Sequence, residues 1–314
     1  MAQEAPGKIA HELRRGELAR TGDLPFGRYF GTTDATALWL VLLRDHAAAT
    51  GSRALLRELA APMRRALAWM QGARSPDGFL REPASRSGQG LWNTSWKDSD
   101  DSIHDGQGRL ASGAVAVVEI QGYVAAALDA CADMESWLGA DGAPLALEAA
   151  ALRESIDGRF WDEAMGLHAV ALAEDGRRLD AATSNPGHLL WAGALSPDRA
   201  ARVARRMMRP DLWSGWGLRT LSTRSPRYQP LSYHNGSVWP HDTGLFAAGL
   251  ARYGLPEAAT ARRALLDMAA VQPALQLPEL LSGYARGGPV PPPAYLEPCR
   301  PQAWAAALVW AALG

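Results

Sequence analysis

The pattern of apolar and polar positions along the chain is helical almost throughout. Period-2 alternation of β-branched residues is nearly absent, while apolar residues recur at helical spacing through alanine- and leucine-rich segments. The segments are of two kinds. Those at 34–43, 114–128, 187–195, 243–250 and 303–313 are apolar on nearly every side, as helices buried all round are. Those at 53–70, 145–156, 198–207 and 257–268 carry a charged face. In the first of these, Leu56, Leu59, Met63, Leu67 and Met70 form one stripe, with Arg57, Glu58, Arg64 and Arg65 off it. Pro62 lies inside the segment and predicts a kink or restart, because proline removes a helical donor. The two kinds alternate, and the series ends on a ninth helix of the buried kind. That order predicts an all-α toroid of inner and outer helices.

Between the helices lie long segments, 72–112, 209–241 and 272–301, rich in Gly, Pro, Ser, Asn and Trp. Ordered loops longer than about 12–15 residues are usually functional. No low-complexity tract, fixed-period repeat or composition break marks a linker, so a single domain over 1–314 is expected.

Composition narrows the classes. A chain of 314 residues, 47% of them apolar, can fill a sizeable core. The net charge of −1 with scattered basic residues leaves no electrostatic footprint for nucleic acid or an anionic membrane surface. The most apolar runs, ALWLVLL and AWAAALVWAAL, fall far short of the roughly 20 residues that cross a bilayer. Cys131 and Cys299 read as two buried thiols, and the opening AQEAPGKIAHELRRGELAR lacks the apolar stretch of a signal peptide, so a cytoplasmic location is expected.

The loops hold the candidate chemistry. WNTSWKDSDDSIHD, at 92–105, places Asp98, Asp100, Asp101 and Asp105 beside Trp92 and Trp96. A calcium loop fails there, since the required glycine falls on Ile103 and the closing glutamate on Arg109. A solvated acidic turn does not account for the two indoles, whereas a carboxyl desolvated by aromatic neighbours can serve as a general acid. YHNGSVWPHD, at 233–242, sets His234, Asn235, Trp239, His241 and Asp242 in one interrupted segment. The two histidines are seven apart and share no helical face for zinc. Hydrogen bonding to a polyhydroxylated ligand, with Trp239 stacked on it, suits the mixture; bracing of the loop is the equal alternative. In the third loop Glu279 follows Pro278, and glycoside hydrolysis needs a second carboxyl of this kind.

PFGRYFGTTDAT (25–36), WKDSDDSI (96–103), VVEIQGY (117–123), RFWDE (159–163), SNPGHLLW (184–191), YHNGSVWPHDTGL (233–245), LPELLSG (277–283) and RPQAWAA (300–306) together resemble the bacterial amylo-α-1,6-glucosidase, or glycogen-debranching-like, proteins among the mannosylglycerate-hydrolase-like (α/α)6 glycosidases. The resemblance implies an inverting hydrolase of an α-glucosidic bond, with no cofactor or metal and a carbohydrate substrate. It implies Asp98 as general acid and Glu279 as general base. By motif position Asp34, Trp96, Lys97, Glu119, Gln121, Tyr123, His234, Asn235, Trp239, His241, Asp242 and Trp304 line the pocket. The family's N-terminal β-rich domain and first helix pair find no counterpart, so about nine of twelve helices are expected. A fragment, a truncated product and one part of a split enzyme completed by a second chain all fit that count. A small α-glycoside such as mannosylglycerate or glucosylglycerate, a non-catalytic sugar-binding role, or an epimerase using the two histidines are the alternatives.

Overall fold

The computed structural model describes residues 3–23, 27–82, 91–288 and 292–313. Every segment read as helical contains a helix, and the chain groups into two compact units. The first comprises Met1–Asp100, Ser112–Gly158 and Ala173–Asp175. It holds α1 (Glu17–Thr21), α2 (Ala35–Thr50), α3 (Ala54–Glu58), α4 (Ala60–Gly72), α5 (Val118–Trp137) and nearly all of α6 (Ala143–Phe160). Two-residue strands β1 (Glu12–Leu13) and β2 (Arg28–Tyr29) pair antiparallel, and β3 (Ala116–Val117) leads into α5.

The segment with the inner proline divides at Leu59, three residues before Pro62, which therefore sits in the first turn of α4, where its missing donor has no intrahelical partner to lose. The centre of the unit is α5, which packs on α2 and α4 and is buried on nearly every side from Val118 to Ala132. Arg64 clamps Glu135 through two bonds of 2.8 and 2.7 Å, and this pair holds the Glu135 carboxyl below its usual range despite partial burial. Burial, with Glu135 nearby, pushes the Cys131 thiol up to about 12. The other cysteine departs from expectation, as Cys299 is exposed. So does α2, whose apolar run leaves Leu42 65% exposed.

The second unit comprises Asp101–Ala111, Arg159–Leu172 and Gly176–Gly314. It holds α7 (Pro186–Trp191), α8 (Pro197–Met207), α9 (Pro240–Arg252), α10 (Glu257–Ala270) and α11 (Ala303–Leu313). Antiparallel pairs β4 (Trp161–Asp162) with β5 (Leu167–His168), and β6 (Ala171–Leu172) with β7 (Arg178–Leu179), precede them. The hub is α9, in contact with α7, α10 and α11. Its glycines make this possible: a Cβ on Gly249 would stand 2.6 Å from both Leu190 Cβ and the Trp191 amide nitrogen, and one on Gly244 2.6 Å from Leu308 Cβ. In α8, Ser196 caps the N-terminus by accepting from the Arg199 amide, Pro197 occupies the first turn, and Ala200, Val203, Ala204 and Met207 form the buried stripe. By contrast α11 is apolar without being enclosed; Ala305 is buried but Ala306 and Ala307 are exposed.

Gly249→Ala should destabilise the protein by about 1–3 kcal/mol in chemical denaturation, because the atoms in the way belong partly to backbone and overpacking outweighs alanine's helix preference of about 1 kcal/mol. An unchanged or raised midpoint would show that α7 and α9 can separate at no cost.

Candidate active site

In the second unit the segments 228–242, 277–283 and 299–304 gather around Glu279. Its backbone amide donates to the Cys299 carbonyl at 2.9 Å, fixing where the residue leaves the chain. Tyr233 donates its hydroxyl to Oε1 at 2.9 Å and Gln302 its amide to the same oxygen at 3.1 Å. Both donors sit on one oxygen, and Oε2 takes no hydrogen bond among the described residues. The side chain is 9% exposed, so the carboxylate is oriented and desolvated while one oxygen stays available.

An aromatic cluster backs this carboxylate. Trp239 is 1% exposed, donates its indole N–H to the Tyr233 carbonyl at 2.8 Å, and stacks on His234 with ring centroids 5.0 Å apart. The expected sugar-stacking role does not match this burial: Trp239 is a support whose face is taken by His234. The more open indole is Trp304, 36% exposed, which stacks on His241 at 3.9 Å and 7°. Beneath His241, Asp242 accepts a 2.7 Å bond from Nε2 of His188, and both are buried. Asn235 faces the acidic loop, donating through Nδ2 to the Asp101 carbonyl at 3.1 Å. Its use is to brace that loop. Asp105 is likewise structural: burial pushes its carboxyl up, but bonds from the Arg109 amide and guanidinium and from the Gln107 amide prevail and hold it low.

Asp98 belongs to the first unit, at the end of the buried run Asn93–Lys97. Asn93 donates to the Ser99 carbonyl and closes the loop on itself, and Thr33 pairs with Thr94 through both backbone and hydroxyl. Asp98 itself is half-buried while Asp100 is exposed. Burial raises the Tyr29 hydroxyl above its usual value, with the carboxylates of Glu12 and Asp98 adding to the effect, so Asp98 lies within electrostatic reach of that phenol. Lys97 is fully buried, its ammonium 5.1 Å from the Trp96 ring, and Trp96 is buried with it. Tyr123 is buried in α5.

The first unit also brings buried carboxyls together. Glu119, in the first turn of α5, is fully enclosed. Burial raises Asp34, at the start of α2, against the pull of His11 and Thr32. The sequence reading missed the third member, Glu82. It is 3% exposed, and burial, opposed by bonds from Ser95 and the Thr94 backbone but reinforced by Glu119 and Asp34, moves it to about 7. Lys8 answers Asp34 with positive charge at the cost of its own desolvation, which lowers it. Gln121 differs from the pocket-lining role expected of it. Its Oε1 accepts from the Leu80 amide, and its Nε2 donates to the carbonyls of Leu80 and Val117, so its amide hydrogens hold backbone. Among the described residues no three His, Cys, Asp or Glu side chains converge as metal ligands would, and no helix is long and apolar enough to cross a membrane.

Residues 26–279 match the mannosylglycerate hydrolase MGH1-like glycoside hydrolase domain. Over 100 residues, 32% of this chain and 20% of the other, the sequence is 33% identical to mannosylglycerate hydrolase MGH1 of Selaginella moellendorffii, so the chain spans a fifth of the curated relative it matches. The GH63 mannosylglycerate hydrolase from Thermus thermophilus in complex with Tris superposes with a TM-score of 0.71 at 17% identity, over 98% of this chain and 85% of that one. The same enzyme with Tris and D-glycerate gives 0.69 at 17% identity, over 100% and 86%. These likenesses establish the (α/α)6 glycosidase fold.

Glu82 supplies a test of the buried carboxyls. Its folded pKa of about 7 lies above the ordinary 4.5, so its stabilising contribution is complete below 4.5 and is lost as pH rises through 7. Glu82→Gln, which mimics the neutral form, should match the parent at about pH 4 and exceed it at about pH 8 by up to about 3 kcal/mol in denaturation. A difference that does not change with pH would mean that Glu82 is already ionised in the folded protein.

Proposed function

The chain belongs to the mannosylglycerate hydrolase MGH1-like glycoside hydrolase family, and we propose from that premise that it cleaves a small α-glycoside of the mannosylglycerate or glucosylglycerate class with inversion at the anomeric carbon. The observation that carries this reading is Glu279, an enclosed carboxylate gripped at one oxygen by Tyr233 and Gln302 and open at the other. Such a group is built to take a proton from water. In the inverting mechanism a general base activates water on one face of the sugar while a general acid protonates the leaving oxygen on the other. Glu279 is the base and Asp98 the acid. A glycerate-type leaving group is favoured over a glucan branch by the names borne by the matching relatives. The debranching activity implied by the sequence motifs is the second reading, carried by those motifs alone.

In the roles the motifs imply, Asp98 gives its proton to the glycosidic oxygen as the bond to the anomeric carbon breaks, and Glu279 takes a proton from the water whose oxygen forms the new bond with inversion. Product leaves as the inverted sugar and a free hydroxyl, with Asp98 ionised and Glu279 protonated until solvent restores both. Tyr233 and Gln302 keep Oε1 pinned, which leaves Oε2 as the oxygen that takes the proton.

Hydrolysis of mannosylglycerate, glucosylglycerate and a branched α-glucan, followed by NMR to read the anomer first released, tests the assignment. Asp98→Asn and Glu279→Gln should each lower kcat by about 10²–10⁴-fold. Turnover that survives either change, or sugar binding with no turnover on any of the three, would falsify the reading. Turnover of the glucan alone would select the debranching activity. Tyr233→Phe should lower kcat by about 10-fold or more with little change in KM, since it removes a hydrogen bond to a charged group without touching the sugar.

A further inference from the structure

The second unit carries a cationic hollow away from Glu279. Arg202, Arg205, Arg206 and Arg209 lie at positions i, i+3, i+4 and i+7, one stripe of α8 and the turn after it. This stripe walls a hollow of about 280 Å³ that is closed by Glu163, Ala164, Met165 and Gly166 of the turn between β4 and β5. A second hollow of about 300 Å³ shares Ala164, Met165, Arg206 and Arg209 and adds Arg224, Ser222 and Ser225 from a separate loop, with Gly106 and Asp180 opposite. Five arginines therefore face two carboxylates, Glu163 and Asp180, in a protein whose net charge is −1.

The five are not equivalent. Arg206 is committed to Asp211 through bonds of 3.1 and 2.9 Å and to the Met165 carbonyl, and Ser222 donates to the same Asp211. Arg202 is tied to Glu163 and lies over the Trp161 ring. Arg205, Arg209 and Arg224 are exposed and make no side-chain hydrogen bond or ion pair among the described residues. Like charges three and four apart on a helix repel. The helix dipole offsets this for cations in the last turn of α8, but it does nothing for Arg224, which arrives from another segment. The committed pair Arg206–Asp211 fixes the floor, and the uncommitted guanidiniums stand around it.

We propose that these joined hollows are a binding site for a small molecule bearing a phosphate or diphosphate group. Guanidiniums present paired N–H donors that match tetrahedral oxyanions, and volumes of about 280 and 300 Å³ suit a small metabolite. The Ser225 hydroxyl lines the same wall and adds a donor of neutral charge, whereas the one hydroxyl proton of Ser222 is taken by Asp211.

The test is calorimetric titration of the full chain with inorganic pyrophosphate and orthophosphate, in buffer of about 20 mM and about 150 mM salt. Binding that persists at the higher salt is expected. Arg209→Ala combined with Arg224→Ala should raise Kd about tenfold or more, while Arg209→Lys, which keeps the charge but loses the fork, should fall between. These side chains are exposed and unbonded, so circular dichroism and Tm should be unchanged, and glycoside hydrolysis should be unaffected. Binding that vanishes at about 150 mM salt, or that the double variant leaves intact, overturns the site. An acidic peptide that binds more tightly than pyrophosphate overturns the small-molecule assignment in favour of a protein partner.

Discussion

The bond between His188 and Asp242 is the constraint around which the second unit is arranged. A carboxylate with 0% exposure has lost its water and must be compensated from within the protein. His188 on α7 does this at 2.7 Å, and the need for that distance forces α7 against α9. The glycines at 244 and 249 are the accommodation: helices this close leave no room for a Cβ. With α9 fixed, its N-terminal end fixes His241, then Trp239, and through the Trp239 indole the carbonyl of Tyr233. The hydroxyl of that tyrosine is what grips Glu279. A buried histidine–carboxylate hydrogen bond thus reaches the candidate base through three aromatic residues, without touching it.

The first unit solves a different electrostatic problem. Asp34, Glu82 and Glu119 are buried carboxyls that raise the cost of one another's charge. Burial drives Glu82 to about 7, so the group is protonated in acid and gives up its proton only as pH approaches neutrality. Around it the fold spends polar side chains on backbone. Gln121 secures Leu80, and the Thr33–Thr94 pair secures the loop that carries Asp98. The loop is held rigidly just before the carboxyl that chemistry would use.

Much of this could be read from the chain because helix periodicity is local. Apolar spacing located every long helix, and Pro62 signalled the break that appears at Leu59. What could not be read depends on contacts far apart in sequence. The strands are two residues long, too short for alternation to register. Glu82 sits in FLREP with no local sign of burial, and only the approach of Thr94, Ser95 and Glu119 makes it unusual. Trp239 and Trp304 exchange their expected prominence for the same reason. An indole's exposure is decided by what packs on it, here His234 for one and a single face of His241 for the other. The motifs named Glu279 but not its two donors, since Tyr233 and Gln302 are 46 and 23 residues away.

The arginines make the same point in charge. Along the chain they are dispersed, and that dispersion by itself predicts no anionic partner. Folding places Arg224 opposite the α8 stripe, so that a sequence neutral on average acquires a local excess of positive charge. Net charge governs solubility and long-range steering, whereas a small anion responds to the few groups within a Debye length of about 8–10 Å. Neutrality of the whole chain is therefore compatible with a strongly cationic hollow. Arg206 also shows how such a hollow stays folded without a ligand. Its partner Asp211, kept ionised by Ser222 and by Arg206 itself against the effect of burial, cancels the one guanidinium that is withdrawn from solvent. Arg205, Arg209 and Arg224 hold no carboxylate by a hydrogen bond, although Asp211 also feels the charge of Arg224; they are exposed to water, where repulsion is screened and an incoming anion meets the smallest desolvation cost.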